Sequence, residues 1–140
     1  MTDLPDDKIV LASASPTRHQ LLVAAGVPHI VDPPKVDERK IKTGLRAQGA
    51  SGSEIARALA VAKAMSVCQR YPTALVLGVD QVLQCGRETF DKPVDRDEAR
   101  GQLRSLRGKT HELISCAAIV WTGVTTWVVV DTAQLAIRQN

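Results

Sequence analysis

Any chemistry in this chain of 140 residues falls to a few polar side chains set at the ends of apolar runs. The turn Ser13-Ala14-Ser15-Pro16-Thr17-Arg18 follows one such run, Lys8 to Ala12, and precedes a segment in which Leu21, Leu22 and Ala25 mark a helical face. A strand giving way to a helix here leaves free backbone amides at the positive helix end, beside two hydroxyls and an arginine. That outlines an anion site. Taken alone, Ser15 is explained as a helix N-cap with Pro16 at the first helical position, and Arg18 as a surface charge. The turn has neither the GxxxxGK[ST] pattern of a P-loop nor the GxGxxG of a dinucleotide fold.

Asp80 directly follows the apolar run Ala74 to Val79, and strand ends of open α/β sheets face the crevice where ligands bind. A carboxylate there needs a partner, and a metal ion, a lysine or a hydrogen-bonded turn would each supply one. Lys63 lies eight residues after Ile55, about 80° around a helical wheel, at the margin of the apolar stripe. Such a lysine either snorkels to water or projects into a cleft where an anion holds it. Glu38 in Val36-Asp37-Glu38 and Lys92 in Asp91-Lys92-Pro93 read singly as surface residues. His19, His29 and His111 show no ligand spacing for zinc, while hard-cation binding through carboxylates stays open. Ser13, His111 and Asp80 form a triad on paper only, without a GxSxG elbow. Cys68, Cys85 and Cys116 include no CxxC pair, and Cys68 and Cys116 read as small buried hydrophobes.

The elements that must position these residues alternate. A short strand at Lys8 to Ala12, a helix ended by Gly26, and a second strand at His29 to Asp32 lead into the Pro33-Pro34 break. A basic segment follows, and Gly44 to Gly52 reads as a loop. A long helix runs from Ser53 to about Arg70, with Ile55, Leu59, Ala62 and Ser66 on one stripe. The run Ala74 to Val79 has the continuous apolarity of a strand covered on both faces. A hairpin about Cys85-Gly86-Arg87 comes next, then a helix opened by Asp95 and Glu98 at capping-box spacing, with Ala99, Leu103 and Leu106 inward. Strands at Thr110 to Trp121 and Thr125 to Ile137, joined at Thr122-Gly123, complete an α/β fold whose sheet is mixed and flanked by helices.

The composition, 44% hydrophobic and 24% charged, excludes disorder and low complexity, and the length suits one domain over 1–140. Aromatics are 3% and the net charge is +3, so base-stacking platforms and a nucleic-acid coat are not expected. Between Lys35 and Lys63 there are seven basic residues against three acidic ones, which points to a local anionic ligand or a solvated basic loop. No apolar run reaches the roughly 18 residues of a membrane span, and no leader pattern opens the chain, so the expectation is a cytoplasmic protein with no membrane partner.

Six collinear segments, LASASPTR (Leu11 to Arg18), VDE (Val36 to Glu38), ALAVAKA (Ala58 to Ala64), LGVDQV (Leu77 to Val82), DKPVDRDEAR (Asp91 to Arg100) and LRGKTHELISCAAIV (Leu106 to Val120), resemble the Maf family of nucleoside triphosphate pyrophosphatases. The resemblance implies an inosine triphosphatase-like α/β architecture and cleavage between the α and β phosphates with a divalent cation, Mg²⁺ first and Mn²⁺ second. By the same resemblance Ser13, Ser15 and Arg18 match the serine turn and second arginine of the SPRR signature. Glu38, Lys63, Asp80 and Lys92 match the VDE, LAxxKA, G-x-D and GKP motifs. Glu38 and Asp80 would hold the metal, with Asp80 the favoured partner of the attacking water, and Arg18, Lys63 and Lys92 would neutralise the triphosphate.

Three departures stand out. Thr17 replaces the first arginine, and Asp91 replaces the glycine before Lys92. Gln81 follows Asp80 where the branch acting on dTTP and UTP has threonine. The Asp80-Gln81 pair resembles the branch associated with 7-methyl-GTP, which is therefore the favoured substrate, with Gln81 among the binding residues. Family members continue with further strands, helices and a glycine-rich stretch, so the expectation is a domain lacking its C-terminal part. A homodimer is a family-based expectation. The competing readings are a non-catalytic nucleotide-binding protein linked to septum formation and, least favoured, an RNA or DNA binder.

Overall fold

Local capping chemistry fixes most of the elements. The structure, a computed structural model, describes residues 9–139, so Lys8 of the expected first strand and Asn140 lie outside it. Strand β1 (Ile9–Ala12) ends at Ser13, and Ser15 takes the extended N-cap conformation, its hydroxyl accepting the Arg18 amide as α1 (Pro16–Ala24) begins. Strand β2 (His29–Val31) follows. Asp37 caps α2 (Glu38–Ala47) through the Lys40 amide, and a Ser51/Glu54 capping box opens α3 (Gly52–Cys68). Strands β3 (Leu75–Cys85) and β4 (Glu88–Phe90) form the expected hairpin, with Gly86 at φ 62° in its turn. Asp95 caps α4 (Arg96–Leu106), and β5 (Thr110–Trp121) and β6 (Val124–Ala136) complete the order.

The sheet runs β2-β1-β3-β5-β6, with β4 also against β3. β1 pairs in parallel with β2 and β3, and every other named pair is antiparallel, so the mixed sheet is as expected. Strand order reverses at β1, the kind of position where open α/β sheets place their ligands. β1 accompanies β3 only as far as Gly78, and β4 joins the same edge only from Leu83. Between them the edge of β3 around Asp80 is open, facing the Ser13 turn on one side and the turn after β4 on the other.

Helix α3 covers one sheet face. Ile55, Ala56, Leu59 and Ala60 pack with Val82, Ile114, Cys116 and Ala118, while Ala64 and Val67 pack with Val10, Ala12, Val76 and Val120. Gly78 permits this contact, because a Cβ there would run into the Ala60 carbonyl. The helix backbone therefore sits hard against β3 and brings Lys63 to Asp80, midway along the strand.

Five sequence expectations need correction. Asp80, expected at a strand end, lies midway along β3, because pairing with β5 carries the strand on through Gln84. The basic segment and the start of the supposed loop form α2, because Asp37 supplies a cap and Ile41 and Leu45, four apart, pack on the core. The α3 stripe is rotated: Lys63 and Val67 are buried with Ile55 and Leu59, while Ala62 and Ser66 are half-buried. In α4, Leu106 is inward but Leu103 is exposed. α1 buries no residue, and Leu21 and Val23 face outward. β6 also presents Trp127, Val129, Val130 and Leu135 to solvent. No helix among the described residues is long and apolar enough to cross a membrane.

Candidate functional site

Three elements converge on one ammonium group. Lys63 Nζ lies 2.9 Å from Asp80 Oδ1, 3.3 Å from Glu38 Oε1 and 3.3 Å from the Val79 carbonyl oxygen. The contacts with Asp80 and Val79 are hydrogen bonds, and that with Glu38 is an ion pair. Lys63 and Asp80 are 7% and 5% exposed, whereas Glu38 reaches in from the rim at the first turn of α2. The alternatives for Lys63 and Asp80 thus resolve into a buried ion pair at the open edge of β3.

Burial pushes the Asp80 carboxyl above its usual range, and Lys63, then Lys42, oppose that shift, while Glu38 adds to it. Burial likewise raises the Cys116 thiol, which lies opposite Asp80 on β5 and forms part of the apolar core. Asp80 Oδ2 is buried without a hydrogen-bond partner. A buried carboxylate oxygen left unpaired beside a second carboxylate suits a hard cation, which takes one or two protein carboxylates and completes its shell with water and phosphate oxygens. Glu38 and Asp80 therefore fit a divalent ion, although no group of three or more His, Cys, Asp or Glu forms a cage among the described residues.

The Ser13 turn forms as read. Ser13 is buried, its Oγ accepts the Ser15 amide at 3.0 Å, and Ser15 Oγ accepts the Arg18 amide at 3.3 Å. This turn begins where β1 ends beside Gly78, next to the open edge that holds Asp80. Arg18 is half-buried, and neither its side chain nor that of Lys92 has a hydrogen-bond or ion-pair partner among the described residues. Lys92 is exposed, two residues past the end of β4, where the antiparallel course of that strand runs back toward the level of Asp80. Gln81 is not brought to the cluster. Side chains alternate along a strand, so Gln81 projects from the face opposite Asp80, where its amide donates to Ser115 Oγ at 3.0 Å.

Two cations that the sequence singled out only as part of the basic segment belong to the surroundings of the site. Lys42 follows Glu38 by one helical turn, and Arg46 follows Lys42 by another. Their side chains reach Asp91 Oδ1 at 3.3 Å and 2.9 Å. The i, i+4, i+8 spacing was the available signal, and it becomes visible only once residues 38–47 are read as a helix.

An anion-ready turn, a lysine joining two carboxylates, and a free buried carboxylate oxygen together offer a place for a polyanion and a means of polarising water. Comparison with known proteins agrees. The chain is 44% identical over 132 residues to a protein of Mesorhizobium japonicum named 7-methyl-GTP pyrophosphatase, covering 94% of this chain and 66% of that one. It is also 44% identical over 137 residues to a nucleoside triphosphate pyrophosphatase of Rhodopseudomonas palustris, covering 97% and 66%. The chain thus spans about two thirds of the length of these curated relatives. The structure of a HAM1 protein from Coxiella burnetii shares the fold, with a TM-score of 0.57 at 14% identity over 95% of this chain and 74% of that one. The Maf-like protein family model matches residues 8–140, and on that match and these identities the chain belongs to the Maf family.

Proposed function

We propose that residues 1–140 act as one domain that hydrolyses a nucleoside triphosphate between its α and β phosphates, releasing a monophosphate and pyrophosphate. The observation that carries this reading is the Lys63 ammonium set between Asp80 and Glu38 at the crevice beside the Ser13–Arg18 turn. Water attacks the α phosphorus, the bridging bond to the β phosphate breaks, and pyrophosphate departs with the negative charge. Asp80 orients that water and accepts its proton. The amides and hydroxyls of the turn, with Arg18, bind the phosphates at the N-terminus of α1, and Lys92 closes over them from the turn after β4. Lys63 orients Asp80 and offsets the charge that develops as the anhydride opens. A divalent cation, Mg²⁺ or Mn²⁺, held by Glu38 and Asp80 would neutralise phosphate charge and lower the pKa of bound water.

The favoured base is 7-methylguanine, with dTTP and UTP as the comparators. The Asp80-Gln81 pair and the name of the Mesorhizobium relative support that choice. The test is a panel of triphosphates assayed for released pyrophosphate with Mg²⁺ and with Mn²⁺. Turnover that Asp80→Asn reduces by about 10²- to 10⁴-fold is the expected result. Folded protein that turns over none of the panel rejects the proposal. A second reading, nucleotide binding without turnover, is favoured by one observation: among the described residues neither the Arg18 nor the Lys92 side chain forms a hydrogen bond or ion pair with Asp80 or Glu38. It predicts calorimetric binding of a triphosphate with no product.

A further inference from the structure

Asp91 stands where the resemblance expects glycine, and it takes part in three hydrogen bonds with side chains of two helices. Its Oδ1 accepts Arg46 Nη2 at 2.9 Å and Lys42 Nζ at 3.3 Å, both from α2. Arg46 is held in turn by Nε donation to Thr89 Oγ1 on β4 at 3.0 Å. The Asp91 carbonyl accepts Gln102 Nε2 of α4 at 2.6 Å. A lone exposed ion pair holds little, but one carboxylate shared by two cations and backed by further hydrogen bonds from α4 and to β4 restricts every partner.

This residue joins two parts of the site, seconded only by the Arg46–Thr89 bond among the described hydrogen bonds and ion pairs. α2 carries Glu38 yet has no fully buried residue, so its seat depends on the half-buried Ile41 and Leu45 and on polar ties. The turn after β4 carries Lys92 and is exposed throughout. Lys42 also stands one helical turn after Glu38 on α2, within side-chain reach of that carboxylate. Without Asp91, two like charges one turn apart on α2 would repel, and the acids of the site would be the nearest compensation for Lys42.

We propose that Asp91 is a positioning residue: it ties Lys42 and Arg46 together, fixes the Lys92 turn to the helix that carries Glu38, and keeps Lys42 off the Glu38 carboxylate. The inference rests on the function proposed above and concerns how that site is held. Asp91→Asn frees Lys42 to occupy the acids, so it raises both the nucleotide KM and the Mg²⁺ concentration for half-maximal rate by roughly tenfold, with kcat nearly unchanged. Asp91→Glu restores both. Asp91→Asn combined with Lys42→Gln returns the Mg²⁺ requirement toward wild type, because the competing cation is gone.

The experiment measures these constants on the full chain, together with amide exchange of residues 90–94, which needs no turnover and should quicken in Asp91→Asn. Active wild type with unchanged constants in Asp91→Asn overturns the inference and leaves the function standing. Additive losses in the double variant overturn it as well. Wild type inactive on every nucleotide rejects the function, and amide exchange then decides the inference alone: unchanged exchange in Asp91→Asn overturns it, and faster exchange upholds the tie.

Discussion

Removing the Lys63 ammonium tests the site and the fold together. Lys63→Met keeps most of the side-chain volume but leaves Asp80 buried without its cation, 2.9 Å from where the ammonium had been. Breaking a buried pair by deleting one partner costs about 3–5 kcal/mol. For a chain of this size about 1 kcal/mol moves the melting temperature by roughly 3–5 °C, so the variant should melt about 10–20 °C lower near pH 8.

The deficit must depend on pH, and its sign follows from Asp80. The folded carboxyl already titrates above the ordinary value of 3.8, with burial as the main cause. Between that value and its raised pKa the folded state binds more protons than the unfolded one, so stability falls as pH rises through this window. Without Lys63 the window extends upward, and each further unit adds about 1.4 kcal/mol to the loss at high pH. Thermal unfolding of wild type and Lys63→Met between pH 4.5 and 8 should show the smallest gap at the acid end. Lys63→Met combined with Asp80→Asn should recover much of the loss, because no charge is then stranded. An equal deficit at pH 4.5 and pH 8, or losses that sum in the double variant, would refute the reasoning.

Other substitutions probe what positions this pair. Gly78→Ala forces a methyl into the Ala60 carbonyl, so denaturant unfolding should show a loss of about 1–3 kcal/mol, with a fall in kcat as Lys63 is moved from Asp80. Ser15→Ala removes the cap of α1, for which chemical denaturation should register about 1 kcal/mol. Because the same hydroxyl lines the anion-ready turn, its larger effect should be a higher triphosphate KM in a steady-state assay. Ser51→Ala, which breaks the capping box of α3 at the far end of that helix, should cost similar stability and leave KM alone, so equal KM changes in the two variants would argue against the turn as the phosphate site.

Much of this protein is legible in one dimension. Apolar runs marked the strands, and Ser15-Pro16, Asp95 with Glu98, and Gly86 and Gly123 marked the helix starts and turns, because caps and tight turns are satisfied by residues only two or three apart. The six ordered motifs carried the family and every member of the carboxylate–lysine cluster by name. Helix α2 was not legible, since its cap at Asp37 and its two apolar residues, Ile41 and Leu45, sit among charges and beside Gly44. Its clamp on Asp91 went unseen with it.

Tertiary structure alone decided which polar residues meet. Lys63 and Asp80 are 17 positions apart and join because Gly78 lets α3 lie directly on β3. Glu38 joins them because α2 packs beside α3. Adjacent in sequence, Asp80 and Gln81 part company because consecutive side chains of a strand take opposite faces, and only the packing of a helix on one of those faces determines which of the two is buried.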